Sequence, residues 1–96
     1  MRLWIHFVEG AVYMNGGVAV EFDISDHHGY QINRCASGVC TNGWLDSNDK
    51  KYSDIYVVRQ RDVFKTGVIL VHELCHAFIW LAGMPDRWNW WVDDNI

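Results

Sequence analysis

From the N-terminus, apolar and polar residues first alternate. In MRLWIHFV, Leu3, Ile5 and Phe7 fall on one side and Arg2, Trp4 and His6 on the other, the period of two that marks a strand with unlike faces. VYMNGGVAVEFDI has the form of a hairpin, with Asn15-Gly16-Gly17 as its turn and Val18, Val20 and Phe22 along one face of the second arm. The alternation then fades. Between Ser25 and Lys51 the chain is rich in Asp, Asn, Ser and Gly, which predicts a long irregular excursion opened by a turn at DHHG. SDIYVVRQ restores the strand pattern, with Ile55 and Val57 set against Tyr56 and Val58.

The period changes at the next residues. An apolar segment runs from Gly67 to Gly83, GVILVHELCHAFIWLAG, and reads as a helix extending to about Ala82. Asp62 is a suitable N-cap and Thr66 an alternative start. Gly83 stands where a left-handed C-terminal stop belongs. Pro85 suits the first turn of a second helix from about Asp86 to the end. Strands followed by two helices predict an α+β layer: a small, mostly antiparallel sheet packed on the long helix, with a second, short C-terminal helix. Ninety-six residues make one domain, 1–96, with no room for a second core.

Composition narrows the classes. The formal net charge is −4, and Lys and Arg are scattered rather than gathered into a basic stripe, so nucleic acid is not expected as a partner. No run of about 18 uncharged apolar residues occurs, so no membrane span is expected. The N-terminal segment lacks a small-residue cleavage site and reads as a strand rather than a signal peptide, which makes a cytoplasmic location the expectation. Three cysteines give an odd count. Cys35 and Cys40 are close enough to be bridged if their loop bends suitably, but with no export signal reduced thiols are the default. Cys75 reads as a small buried hydrophobe. Six tryptophans can supply much buried area in so short a chain.

Against that apolar background, His72, Glu73 and His76 need a reason. Burying two imidazoles and a carboxylate without partners costs several kcal/mol. HELCH fits H-E-x-x-H. Residues four apart on a helix share a face, so both imidazoles can address one metal ion. Zn²⁺ accepts such ligands and, in catalytic centres, keeps a position for water. Glu73, one residue after the first His, lies beside the ion, where it can act as proton acceptor and donor.

With these residues the chain resembles the zincin metallopeptidases, most firmly from about Asp54 to the end. The resemblance implies a zinc-dependent hydrolase of peptide bonds, an endopeptidase rather than an exopeptidase. It also implies an edge strand before the active-site helix that binds substrate in extended form, for which SDIYVVRQ is the candidate. HELCHAFIW also looks like the SprT-like branch, which has a third His downstream; here no His follows His76. The gluzincin branch takes a Glu from a second helix, and here only Asp is on offer.

Two His hold zinc poorly, so a third protein ligand is expected. The acidic residues after the motif are Asp86, Asp93 and Asp94. If the second helix runs back antiparallel, Asp86 stays near the turn and the last residues return to the level of the motif. Trp88, Trp91 and Val92 mark an apolar stripe. Asp94, three residues from Trp91, is the first candidate and Asp93, on the other flank, the second; one can ligate while the other orients His72 or His76. The plain alternative is a solvated acidic terminus. His27 and His28 are further candidates, although adjacent His in a turn are commonly exposed, and His6 is expected on the outer face of the first strand.

Trp88 and Trp91 are expected to pack in the core, and Trp90, off their stripe, to be exposed. Tyr30, Tyr52 and Tyr56 are possible oxyanion donors in chemical terms, but nothing in their spacing selects one. The function expected is peptide hydrolysis with Glu73 as the catalytic acid–base, His72 and His76 with Asp94 or Asp93 as metal ligands, Zn²⁺ as cofactor, and a peptide or protein as substrate. The alternative is a zinc-stabilised binding or regulatory module without turnover. A DNA-associated protease of the SprT-like kind is a further alternative, opposed by the acidic balance.

Overall fold

The computed structural model describes residues 1–15, 18–22, 35–45 and 50–96. In chain order they form β1 (Arg2–Val8), β2 (Ala11–Asn15), β3 (Val18–Phe22), β4 (Cys35–Ala36), β5 (Gly38–Leu45), β6 (Lys50–Val58), α1 (Val63–Leu81) and α2 (Arg87–Asn95). The fold is α+β, as the order of patterns predicts. One three-stranded sheet has the order β1-β6-β5 and the other β3-β2-β4. β1 runs parallel to β6, with Arg2 opposite Tyr52 and Val8 opposite Val58. The other three pairings are antiparallel.

β6 is the centre of the first sheet because its sequence has two usable faces. Ser53, Ile55 and Val57 are fully buried and alternate with Tyr52, Asp54 and Tyr56 on the reverse. Ile55 and Val57 pack with Ala77 of α1, and Cys40, Ile69, Leu70 and Leu74 close around them. SDIYVVRQ is therefore a strand, as expected, but not an edge: both of its sides are laddered. Among the described residues the edges of this sheet are β1 and β5.

The excursion predicted for Ser25 to Lys51 is shorter than its composition suggests. Cys35–Ala36 and Gly38–Leu45 are strand, and β6 begins at Lys50. β5 hides from a pattern reading because Thr41, Asn42 and Gly43 dilute its alternation. Its ladder with β6, from Gly38 opposite Val57 to Leu45 opposite Lys50, holds it instead. The hairpin registers Asn15 against Val18; the facing of Val18, Val20 and Phe22, and the turn at DHHG, lie outside the described residues.

α1 begins and ends where its signals stand. The Asp62 side chain accepts a hydrogen bond from Phe64 N at 2.9 Å, and Thr66 Oγ1 accepts one from Gln60 N at 2.9 Å. At the other end Gly83 has φ +69°. Gly83 N donates to Trp80 O (3.1 Å) and Met84 N to Ile79 O (2.9 Å), the paired bonds of a Schellman stop. Lys51 Nζ donates to Trp80 O at 2.9 Å and lies 4.6 Å from the Trp80 ring centroid, so a cation tethers the helix C-terminus to β6.

Several apolar side chains remain uncovered. α1 lies over β5 and β6, so Leu3, Ile5 and Phe7 on the helix side of β1 stay 41–46% exposed. Trp88 and Trp91 are exposed too, contrary to the core packing expected of them; on α2 only Val92 is buried. The two rings meet edge to face, 6.3 Å apart, and help line a groove of about 350 Å³ with Phe78 and Met84. Among the described residues α2 packs mainly on α1, so its stripe has one main neighbour rather than two layers. Trp90 is 72% exposed, as its position off the stripe predicts. By length and composition α1 is apolar enough to cross a bilayer, which a search for uncharged runs misses. It carries His72, Glu73 and His76 at its middle and packs Glu73 and Ala77 inward.

Candidate metal centre

The site forms where α1 is pressed onto the start of β5. Gly38 permits this. A Cβ there would stand 2.7 Å from Ile69 Cγ2 and 2.9 Å from Glu73 Cγ, so a side chain would force the helix away. Glu73 is consequently 6% exposed. Burial raises its carboxyl above the ordinary carboxylate range; His72 and His76 pull it back, and Asp93 adds to the rise.

His72 and His76, one helical turn apart, present their rings edge to face with centroids 4.9 Å apart. The ligand atoms of His72, Glu73 and His76 lie within 4.8 Å of one another, a group able to hold a metal ion. α2 adds a fourth residue. Asp93 Oδ1 is 2.8 Å from His76 Nε2 and 3.2 Å from His72 Nε2. Asp94, the first candidate by sequence, is exposed and makes no hydrogen bond or ion pair among the described residues. The reason is helical phase. Buried Val92 fixes the rotation of α2, and Asp93 then projects towards α1 with Asn89, one turn before it. Asn89 Oδ1 is 2.8 Å from His76 Nδ1.

The donor set fits a divalent cation. Both imidazole Nε2 atoms converge on one carboxylate oxygen. His76 has an oxygen against each ring nitrogen, so positive charge on its Nε2 side, a proton or a metal ion, is needed to make the arrangement attractive. Around a tetrahedral ion with bonds of about 2.0–2.2 Å, ligand atoms stand about 3.3 Å apart. The separation of Asp93 from His72 is near that value, and that of Asp93 from His76 is shorter.

His72, Glu73, His76 and Asp93 line a cleft of about 400 Å³ with Ser37 and with Gly38, the first residue of β5. Val58 N donates to Ser37 O at 2.9 Å. Gly38, the next residue, therefore sits in a non-hydrogen-bonded pair with Val57 and turns its N–H and C=O to the side of β5 away from β6, where this sheet has no further strand among the described residues. Sequence reading passed over both Gly38 and Asn89. The signals available were a glycine within a strand and the i, i+4 pair Asn89/Asp93, matched to His72/His76.

Other candidates lie elsewhere. His6 is on the sheet face away from α1, stacked on Tyr56 with centroids 4.6 Å apart and 3.6 Å from Asp54 Oδ1. Tyr52 and Tyr56 share that face and do not approach the cleft. Asp86 stays at the interhelix turn. Cys40 has a free thiol, as does Cys75. The Cys40 sulfur is 3.2 Å from Ser53 Oγ, which donates to Asn42 Oδ1 at 2.8 Å. His27, His28 and Tyr30 lie outside the described residues. No protein-family model, curated protein or solved structure matches the chain.

Proposed function

We propose that this domain is a zinc-dependent, zincin-like endopeptidase. The observation that carries the reading is the convergence of His72 and His76 Nε2 on Asp93 Oδ1, with the buried carboxyl of Glu73 beside them. His72, His76 and Asp93 would hold the ion. Zinc bound there supplies Lewis acidity towards a carbonyl and towards water. Glu73 takes a proton from the attacking water and delivers it to the departing amine as the peptide C–N bond breaks. Burial raises its affinity for a proton above that of an ordinary glutamate.

The substrate would lie along β5 rather than β6. Gly38 offers an N–H and a C=O at the rim of the cleft, and an extended peptide can add to such an edge through backbone hydrogen bonds. The acidic net charge and the lack of a basic stripe favour a peptide over a nucleic acid as partner.

The test is Glu73→Gln on zinc-loaded protein with a library of unstructured peptides. Cleavage is expected to fall by about 10²–10⁴-fold, the usual share of an acid–base group, while one equivalent of zinc remains bound. Undiminished cleavage in the variant would remove Glu73 from the chemistry. Zinc binding without cleavage in the parent protein would favour the binding-module alternative.

A further inference from the structure

We infer that two copies of this chain associate face to face through the outward stripe of α1, about a two-fold axis at Val71. The inference does not depend on the metal reading. His72 and His76 leave the helix about 100–140° away from Val71, so the cleft stays open beside the interface.

The stripe has a spacing of seven. Phe64, Val71 and Phe78 stand one heptad apart, with Gly67-Val68 and Leu74-Cys75 between them, so all of them fall on one face of the helix. Phe64 is 77% exposed and Phe78 64%, and Val68 and Val71 are half-exposed. Lys65, the only Lys or Arg on α1, lies about 120° from the stripe. The apolar surface continues past the helix, to the exposed Trp88 and Trp91 of α2 on one side and Leu3 of β1 on the other. With about 150–250 Å² in each aromatic side chain, the exposed fractions on α1 and α2 amount to on the order of 800 Å². The largest apolar patch of a typical monomer is about 300–600 Å², and a stable interface takes about 800 Å² from each partner.

Two observations choose a second copy as the occupant. The stripe reads alike in both directions from Val71. Leu74 and Cys75 follow it at the same distances at which Val68 and Gly67 precede it, and Phe78 and Phe64 stand equally far beyond. Antiparallel helices crossing at Val71 therefore set Phe64 of each copy against Phe78 of the other, Val68 against Leu74 and Gly67 against Cys75. Such self-complementarity is what a two-fold interface requires. Phe64 of the second copy then comes over the groove of about 350 Å³ that Phe78 lines with the Trp88 and Trp91 rings. Gly67 is the second observation. Glycine inside a helix weakens it relative to alanine, and no packing among the described residues calls for it: an added Cβ would meet nothing within 4 Å. Bare backbone on the outward face lets a facing helix approach closely. A lipid surface fits less well. Anionic membranes are held by basic residues beside the apolar face, and this chain has a net charge of −4.

Sedimentation equilibrium of the full chain under reducing conditions, over a concentration series, is expected to show a single monomer–dimer equilibrium ending at twice the chain mass. Val71→Lys and Val71→Glu change a half-exposed side chain, and circular dichroism checks that each still folds. Each brings like charges together at the axis and should weaken dimerisation by more than about 100-fold. An equimolar mixture of the two should recover a dimer with one copy of each, because opposite charges then meet. Gly67→Leu should also be monomeric, with a melting temperature no lower than that of the parent in solutions dilute enough for both to be monomers, so that lost pairing is not misfolding. The proposal is overturned by a parent chain that stays monomeric at every concentration, by larger species with no end point at two, or by Val71→Lys dimers as tight as the parent's. Failure of the mixture to recover the dimer also overturns it. So does a monomeric parent that binds phosphatidylcholine vesicles, which would assign the face to lipid.

Discussion

One hundred degrees of helix rotation separate Asp93 from Asp94, and that decides which carboxylate meets the imidazoles. H-E-x-x-H is legible in sequence because both histidines share a helix, whose period is fixed. The phase of α2 against α1 is not legible, because it depends on the turn from Ala82 to Asp86 and on which single residue, here Val92, is pressed inward. Asp93→Ala is expected to lower zinc affinity by more than about 100-fold, beyond the loss typical of an outer partner, whereas Asp94→Ala should leave it within a factor of a few; calorimetric titration separates the two. Cys40 makes a second residue-level case. Burial pushes its thiol up from 9.0 to about 11, opposed by the Ser53 hydrogen bond and reinforced by Glu73 and Asp54. The folded thiol keeps its proton after the unfolded one has lost it. The stability it contributes is thus present below pH 9 and lost as pH rises through about 11. In a Cys35→Ser, Cys75→Ser background, iodoacetamide at pH 9 should label Cys40 much more slowly in folded than in urea-unfolded protein. Equal rates would contradict the buried setting.

Among the elements, α1 was the easiest to read and β5 the hardest. α1 has a side-chain cap, a glycine stop and an apolar middle, all written locally. β5 has two glycines and a Thr-Asn pair, and owes its extended form to the partner strand. Its glycines mark close approaches: a Cβ on Gly43 would lie 2.6 Å from the Tyr52 ring, much as one on Gly38 would meet Ile69 and Glu73. Gly38→Ala is expected to cost about 1–3 kcal/mol by overpacking. At about 4–8 °C per kcal/mol for a domain of this size, the loss is visible in a thermal melt. The variant should also bind zinc more weakly if α1 is displaced as a body. A melt matching that of the parent protein would mean the helix yields without cost.

For the molecule as a whole, the order of strands and helices was enough to give the α+β class and the C-terminal hairpin. The extent of the core was not. Alternation in β1 marks a face, but only a covering element buries it, and α1 stops short of β1. Nine apolar residues are buried among those described, so binding energy from an ion should be a sizeable part of total stability. Ligand held a hundredfold above its dissociation constant adds about 2.7 kcal/mol, or more than about 10 °C in melting temperature at this size. Calorimetric scans with zinc and with chelator should differ by that amount in the parent protein and by little in His76→Ala. Coincident scans would argue against a resident ion.

The bare backbone at Gly38 has one more implication. Glu73 reaches its place beside the histidines because the helix rests on a strand with no side chain beneath it. A graded set of residues at position 38, from Ala through Ser to Val, would work as shims of increasing thickness under the acid. Such a set would tune how far the Glu73 carboxyl stands from the histidines while every residue of the motif stays unchanged.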